Sequence, residues 1–158
     1  MRKTVSLWLV TLLSLGIGSI AITGERTTDQ NGTAYGPDAL TGKVTIVDFA
    51  ASWCKPCWKA LPHLQQYADR HPEVRVLVVS EDDSRKGRDR LVKKLGLRVP
   101  VIWDANHVWA EKFQPPGMPT TFVLDAQGKV VHQQVGFDEK KWAKTRKVLA
   151  ELSESTSP

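Results

Sequence analysis

The stretch Val44–Pro62, VTIVDFAASWCKPCWKALP, limits the fold of this chain more than any other. Val44, Thr45, Ile46 and Val47 form an apolar, β-branched run that predicts a buried strand. A short turn, Ala51-Ser52-Trp53, follows, and a helical pattern begins at once. The only two cysteines of the chain, Cys54 and Cys57, fall at that junction. The first turn of a helix has unpaired N–H groups and the positive end of the helix dipole. A thiolate placed there is stabilised, and its pKa falls below the usual value of about 8.5. Cys54, nearer the turn, is expected to be the exposed, attacking sulfur. Cys57, one turn further in, is expected to be the resolving sulfur. Lys55 adds a positive charge that favours the thiolate. Pro56 fits the first helical turn, where its missing N–H costs nothing.

These residues resemble the thioredoxin superfamily, and three motifs in order carry the resemblance. They are WCKPC with VDF ahead of it, Pro62 five residues after Cys57, and Gly117-Met118-Pro119-Thr120-Thr121-Phe122. From Gly36 to Leu152 the chain is similar to exported proteins of the TlpA/ResA type. The resemblance implies an α/β thioredoxin fold, a mixed central β-sheet with helices on both faces. It also implies a redox-active Cys54–Cys57 disulfide, with Pro62 kinking the active-site helix. Pro119 is implied to be cis, turning the backbone of Met118 toward Cys54, where an extended substrate chain would pair. Trp53 is expected to shield the disulfide and pack beside Asp48, and Trp58 to line the docking surface.

Asp48 stands inside an apolar strand, six residues before Cys54. A buried acid is expensive and needs a reason. The resemblance implies that Asp48 relays a proton to or from Cys57. Many TlpA-type proteins lack an acid here, so Asp48 leans toward reduction. Lys55 argues the other way, since a stabilised thiolate makes the couple more oxidising. The bland alternative places Asp48 at a polar edge. Core packing is the expected role of Trp103, Trp109 and Trp142.

The chain divides into a leader over 1–22, a linker over 23–35, a thioredoxin-like domain over 36–152 and a flexible tail over 153–158. Met1-Arg2-Lys3 precedes an apolar run from Val5 to Ile22. Two readings stand: a signal peptide cleaved after Ser19-Ile20-Ala21, or an uncleaved membrane anchor. Both place the domain outside the cytoplasm, in the periplasm or on the outer face of the membrane, where disulfides persist. Contact with the membrane is expected only if the segment is uncleaved.

Within the domain the pattern predicts a helix from Cys54 to Arg70 and a strand from Val74 to Val79. A helix from Arg85 to Leu95 ends at Gly96, and Val99–Trp103 is extended. Asn106–Phe113 reads as a helical turn or two. Thr120–Leu124 and Lys129–Val135 form a hairpin, and a last helix runs from Phe137-Asp138 to Leu152.

The formal charge is +5 and remains +3 without Arg2 and Lys3, with acids and bases interspersed. That pattern is a solvated surface, and no nucleic-acid partner is expected. Cys54, Cys57, His63 and His71 have poor spacing for zinc, so neither a metal nor any other cofactor is expected.

The favoured expectation is a thiol–disulfide oxidoreductase acting on protein disulfides or dithiols and re-reduced by a membrane electron-donor protein. By family analogy its clients belong to cytochrome c biogenesis, oxidase assembly or the general exported pool. A second expectation is a non-catalytic copper chaperone using the two thiols as soft ligands. Only Met1 and Met118 could support such a site. A peroxidase on the same fold would need a lone reactive cysteine, which the pair argues against.

Overall fold

The computed structural model describes residues 26–156. The expected leader over 1–22 lies outside the described residues. Among the described residues, no helix is long and apolar enough to cross a membrane.

In chain order, β1 (Thr27–Thr28) and β2 (Ala34–Tyr35) form a small antiparallel hairpin. There follow β3 (Thr45–Ala50), α1 (Lys55–Arg70), β4 (Arg75–Ser80), α2 (Arg85–Leu95), β5 (Val101–Trp103) and α3 (Val108–Phe113). The chain ends with β6 (Thr120–Leu124), β7 (Val130–Val135) and α4 (Glu139–Thr156). The main sheet has the order β5-β4-β3-β6-β7. Strands β3, β4 and β5 run parallel, joined by α1 and α2, whereas β6 and β7 are antiparallel neighbours. This is the thioredoxin-like α/β fold with a mixed sheet.

β3 is buried at every residue because both faces of the sheet are covered. Ile46 and Ala50 face a cluster with Cys57, Leu61 and Leu64 of α1, Leu91 of α2, and Trp142 and Leu149 of α4. Val47 and Phe49 face the other way, onto Trp109 of α3, Leu77, Ile102, Phe122 and Leu40. The period-2 alternation of the strand thus separates two cores. Trp109 and Trp142 are core residues. Trp103 is half-buried; its indole N–H donates to Asp82 O at 2.8 Å, and Arg85 stacks on its ring.

Local signals set the helix ends. Gly96 takes the left-handed conformation that ends α2, φ 62°, with its N–H on Val92 O. Asp138 starts α4, its carboxylate accepting from Lys141 N at 2.8 Å. Pro62 lies inside α1 and has no N–H to offer the preceding turn.

Two expected segments differ. The linker over 23–35 contains, from Thr27, a hairpin bound to the domain. Asp29 is buried and its Oδ1 accepts from Asn31 N and Thr33 N, closing the turn. The flexible tail over 153–158 is helical as far as Thr156, since α4 continues and Ser153 Oγ donates back to Leu149 O. Polar composition alone does not show the hairpin, which is anchored to distant residues, or the helical continuation of α4.

Candidate active site

The junction of β3 and α1 builds the site. Cys54 is the N-cap of α1, with extended backbone, φ −82° and ψ 97°. Its Sγ accepts from Cys57 N at 3.3 Å, so the sulfur occupies the place of a capping oxygen. Cys54 and Cys57 form a disulfide with their Cα atoms 5.3 Å apart. Cys54 is 5% exposed and Cys57 0%. Both are thus buried, whereas an exposed Cys54 was expected, and of the two only Cys54 keeps any exposed surface. Lys55 and Pro56 are exposed beside it.

Asp48 is on the face of β3 that packs toward the pair. It sits between Ile46 and Ala50 on the α1-facing side of β3, and those two pack in the same cluster as both cysteines. Its exposure is 0%, which rules out the polar-edge alternative. Thr121 Oγ1 donates to Asp48 Oδ1 at 2.6 Å, while Oδ2 has no hydrogen-bond partner among the described residues. Burial pushes the carboxyl up to about 7, against the smaller downward pull of the Thr121 hydrogen bond. A carboxyl in this state can take or give a proton near neutral pH.

The Met118–Pro119 peptide bond is cis. Pro119 is buried and its carbonyl accepts from Gly136 N. Met118 is half-buried and packs against both cores, including the one that holds the cysteines. Trp53 departs from its expected place: at 61% exposed it faces solvent, while Asp48 is sealed by Thr121 and the apolar cluster. Trp58 is half-buried, its indole N–H donating to Ser52 O at 2.9 Å. His63 and His71 pair with Glu139 and Glu73, and neither joins the cysteines.

Sequence reasoning missed the device that holds the turn. Asp82, just past β4, is 7% exposed. Both its oxygens accept from Ser52 N at 3.0 Å, Oδ1 also from Ser52 Oγ at 2.6 Å, and Oδ2 from Ser80 Oγ at 2.8 Å. One carboxylate thus fixes the residue two places before Cys54. The signal was present as an acidic run, Glu81-Asp82-Asp83, ending a buried strand. Distinguishing its members required the fold.

Residues 18–152 match the Redoxin family. The thiol-disulfide oxidoreductase ResA of Bacillus anthracis is 30% identical over 115 residues, 72% of this chain and 66% of that protein. The chain thus spans just under two thirds of the length of these ResA relatives. Among solved structures, StoA from Bacillus subtilis is 25% identical with a TM-score of 0.64, covering 77% of this chain and 93% of that one. A thioredoxin-like protein from Porphyromonas gingivalis is 27% identical with a TM-score of 0.70, covering 84% and 92%. Family match, fold and the capped Cys-x-x-Cys pair agree: the chain belongs to the Redoxin family, in the thioredoxin superfamily, and is similar to ResA-type proteins.

Proposed function

We propose that this protein is an exported thiol–disulfide oxidoreductase that reduces disulfides in partner proteins. The observation that carries the reading is the unequal pair: Cys54 caps a helix and keeps some exposed surface, Cys57 has none, and Asp48 is on the strand face that packs toward them. The ResA and StoA likenesses support it.

In the reducing direction the Cys54 thiolate attacks one sulfur of a client disulfide. The client S–S bond breaks, a Cys54–client bond forms, and one client thiolate leaves. Cys57 then gives its proton to Asp48 and attacks Cys54 Sγ. The Cys54–Cys57 bond forms and the second client thiolate leaves. Both client thiolates take protons, and two electrons have passed to the client. Trp53, Met118 and Pro119 hold the client chain, and Lys55 and Pro56 tune the Cys54 sulfur. A membrane electron-donor protein restores the dithiol. The setting is the periplasm or the outer face of the membrane, and the client class is the thiols of cytochrome c or oxidase assembly.

Trapping tests the reading. Cys57→Ser should accumulate mixed disulfides with clients through Cys54, and Cys54→Ser should accumulate none. Equal trapping by both variants, or by neither, would sink it.

A further inference from the structure

A second polar cluster sits where β4 and β5 end. Glu81 leaves β4, Asp104 follows β5, and His107 precedes α3. One ligand atom from each lies within 4.8 Å of the others. Glu81 Oε2 is 3.0 Å from His107 Nδ1, whereas Glu81 Oε1 is buried and has no hydrogen-bond partner among the described residues. The Glu81 side chain is only 12% exposed.

Asp104 is 2% exposed and rigidly held. Its Oδ1 and Oδ2 accept from Trp109 N at 3.2 and 3.0 Å, and Oδ2 also from Ala110 N at 2.9 Å. Those bonds orient a carboxylate as outer-shell partners orient metal ligands. When both are ionised, Glu81 and Asp104 only accept, so neither then satisfies the other. A buried acceptor without a donor is destabilising. A cation between the three side chains removes that cost. Two carboxylates and one imidazole suit zinc, with ligand bonds of about 2.0–2.2 Å. A cavity of about 580 Å³, lined by Glu81, His107, Ala110, Gln114, Gly117 and Met118, leaves room for a further ligand.

We propose that Glu81, Asp104 and His107 form a binding site for a divalent cation of the zinc type. The site uses no thiol, so it stands or falls independently of the redox reading.

The test titrates zinc chloride into the oxidised protein by calorimetry at pH 7.5, with the disulfide intact so that thiolates cannot compete. Saturable one-to-one binding and a raised Tm are expected. Glu81→Gln and His107→Asn should each weaken binding by at least about tenfold. Asn is chosen at His107 because that residue has φ 55°, which Asn tolerates. It also keeps the test decisive if Glu81→Gln does not fold. Absence of binding overturns the proposal, as does binding unchanged in His107→Asn, which would put the ion elsewhere. A Glu81→Gln protein more stable than wild type, with zinc without effect on either, would show a proton shared with Asp104 instead.

Discussion

Thr121 Oγ1 reaches Asp48 Oδ1 at 2.6 Å across the β3–β6 ladder, where the two residues are register partners. The contact joins two distant parts of the site. Thr121 lies two residues past the cis peptide bond, and Asp48 lies six residues before Cys54. Among the described residues, the one side-chain partner of the buried carboxyl is thus supplied by the strand that Pro119 leads into. Its second oxygen has none among them.

The pH dependence of stability follows from that burial. Asp48 is raised from 3.8 to about 7 in the folded protein. Between about pH 4 and 7 the folded state therefore holds one more proton than the unfolded state. Stability falls as pH rises through that window and levels off above it. The loss is at most about 4 kcal/mol, at about 1.4 kcal/mol per unit. Urea unfolding of the oxidised protein across the window should show a shallower decline for Asp48→Asn. Glu81, also raised to about 7, contributes to both profiles, so their difference isolates Asp48. Parallel profiles would mean that Asp48 is ionised in the folded protein.

The charge of Lys55 is exposed, so its effect on the Cys54 thiolate should be modest and salt-dependent. Reversing it in Lys55→Glu removes support for the Cys54 thiolate and makes the couple more reducing. The potential should become more negative by roughly 10–30 mV, since about 30 mV corresponds to 1.4 kcal/mol. Tryptophan fluorescence in thiol buffers measures both proteins. A wild-type value near about −270 mV supports the reducing direction, and one near about −120 mV reverses it.

Gly87 shows how tightly the active-site turn is held. A methyl carbon added there would lie 2.6 Å from Asp82 Cβ. Helix propensity alone favours Gly87→Ala by about 1 kcal/mol. Overpacking of this kind costs about 1–3 kcal/mol, so the net effect should be destabilising, with a shifted redox potential as Ser52 moves. In an Asp82→Gly background, which removes the Cβ as well as the carboxylate, the same change should stabilise. Urea unfolding of the four proteins forms the cycle. Stabilisation in the wild-type background would mean that α2 yields and Asp82 is no clamp.

What the sequence disclosed depended on range. Cys54, Cys57 and Pro56 were legible because helix-start chemistry is local, and the buried strand around Asp48 because β-branched residues cluster. The clamp on the turn was not legible, since Asp82 lies thirty residues away from the Ser52 backbone it holds. Glu81 comes from one segment and Asp104 and His107 from another, and only the parallel ends of β4 and β5 bring them together. The hairpin over 27–35 was hidden for the same reason, because its anchors are at Val99, Val101 and Trp109.

That hairpin should contribute to the stability of the whole domain. β5 is an edge strand of the main sheet, and an uncovered edge leaves backbone groups unpaired. Gln30 covers it: Nε2 donates to Val99 O at 3.0 Å, and Oε1 accepts from Val101 N at 2.7 Å. Thr27 adds a third link, accepting from the Trp109 indole at 2.7 Å. Gln30→Ala removes two hydrogen bonds to backbone groups flanking Val101, which is 0% exposed. Each group left unpaired costs about 1–3 kcal/mol, less where water replaces the amide. The variant should lose about 2–4 kcal/mol in urea unfolding, with unchanged slope, and the Val101 amide should lose protection from hydrogen exchange. Wild-type stability together with an unprotected Val101 amide would mean that water serves the edge equally well and that the segment is merely appended.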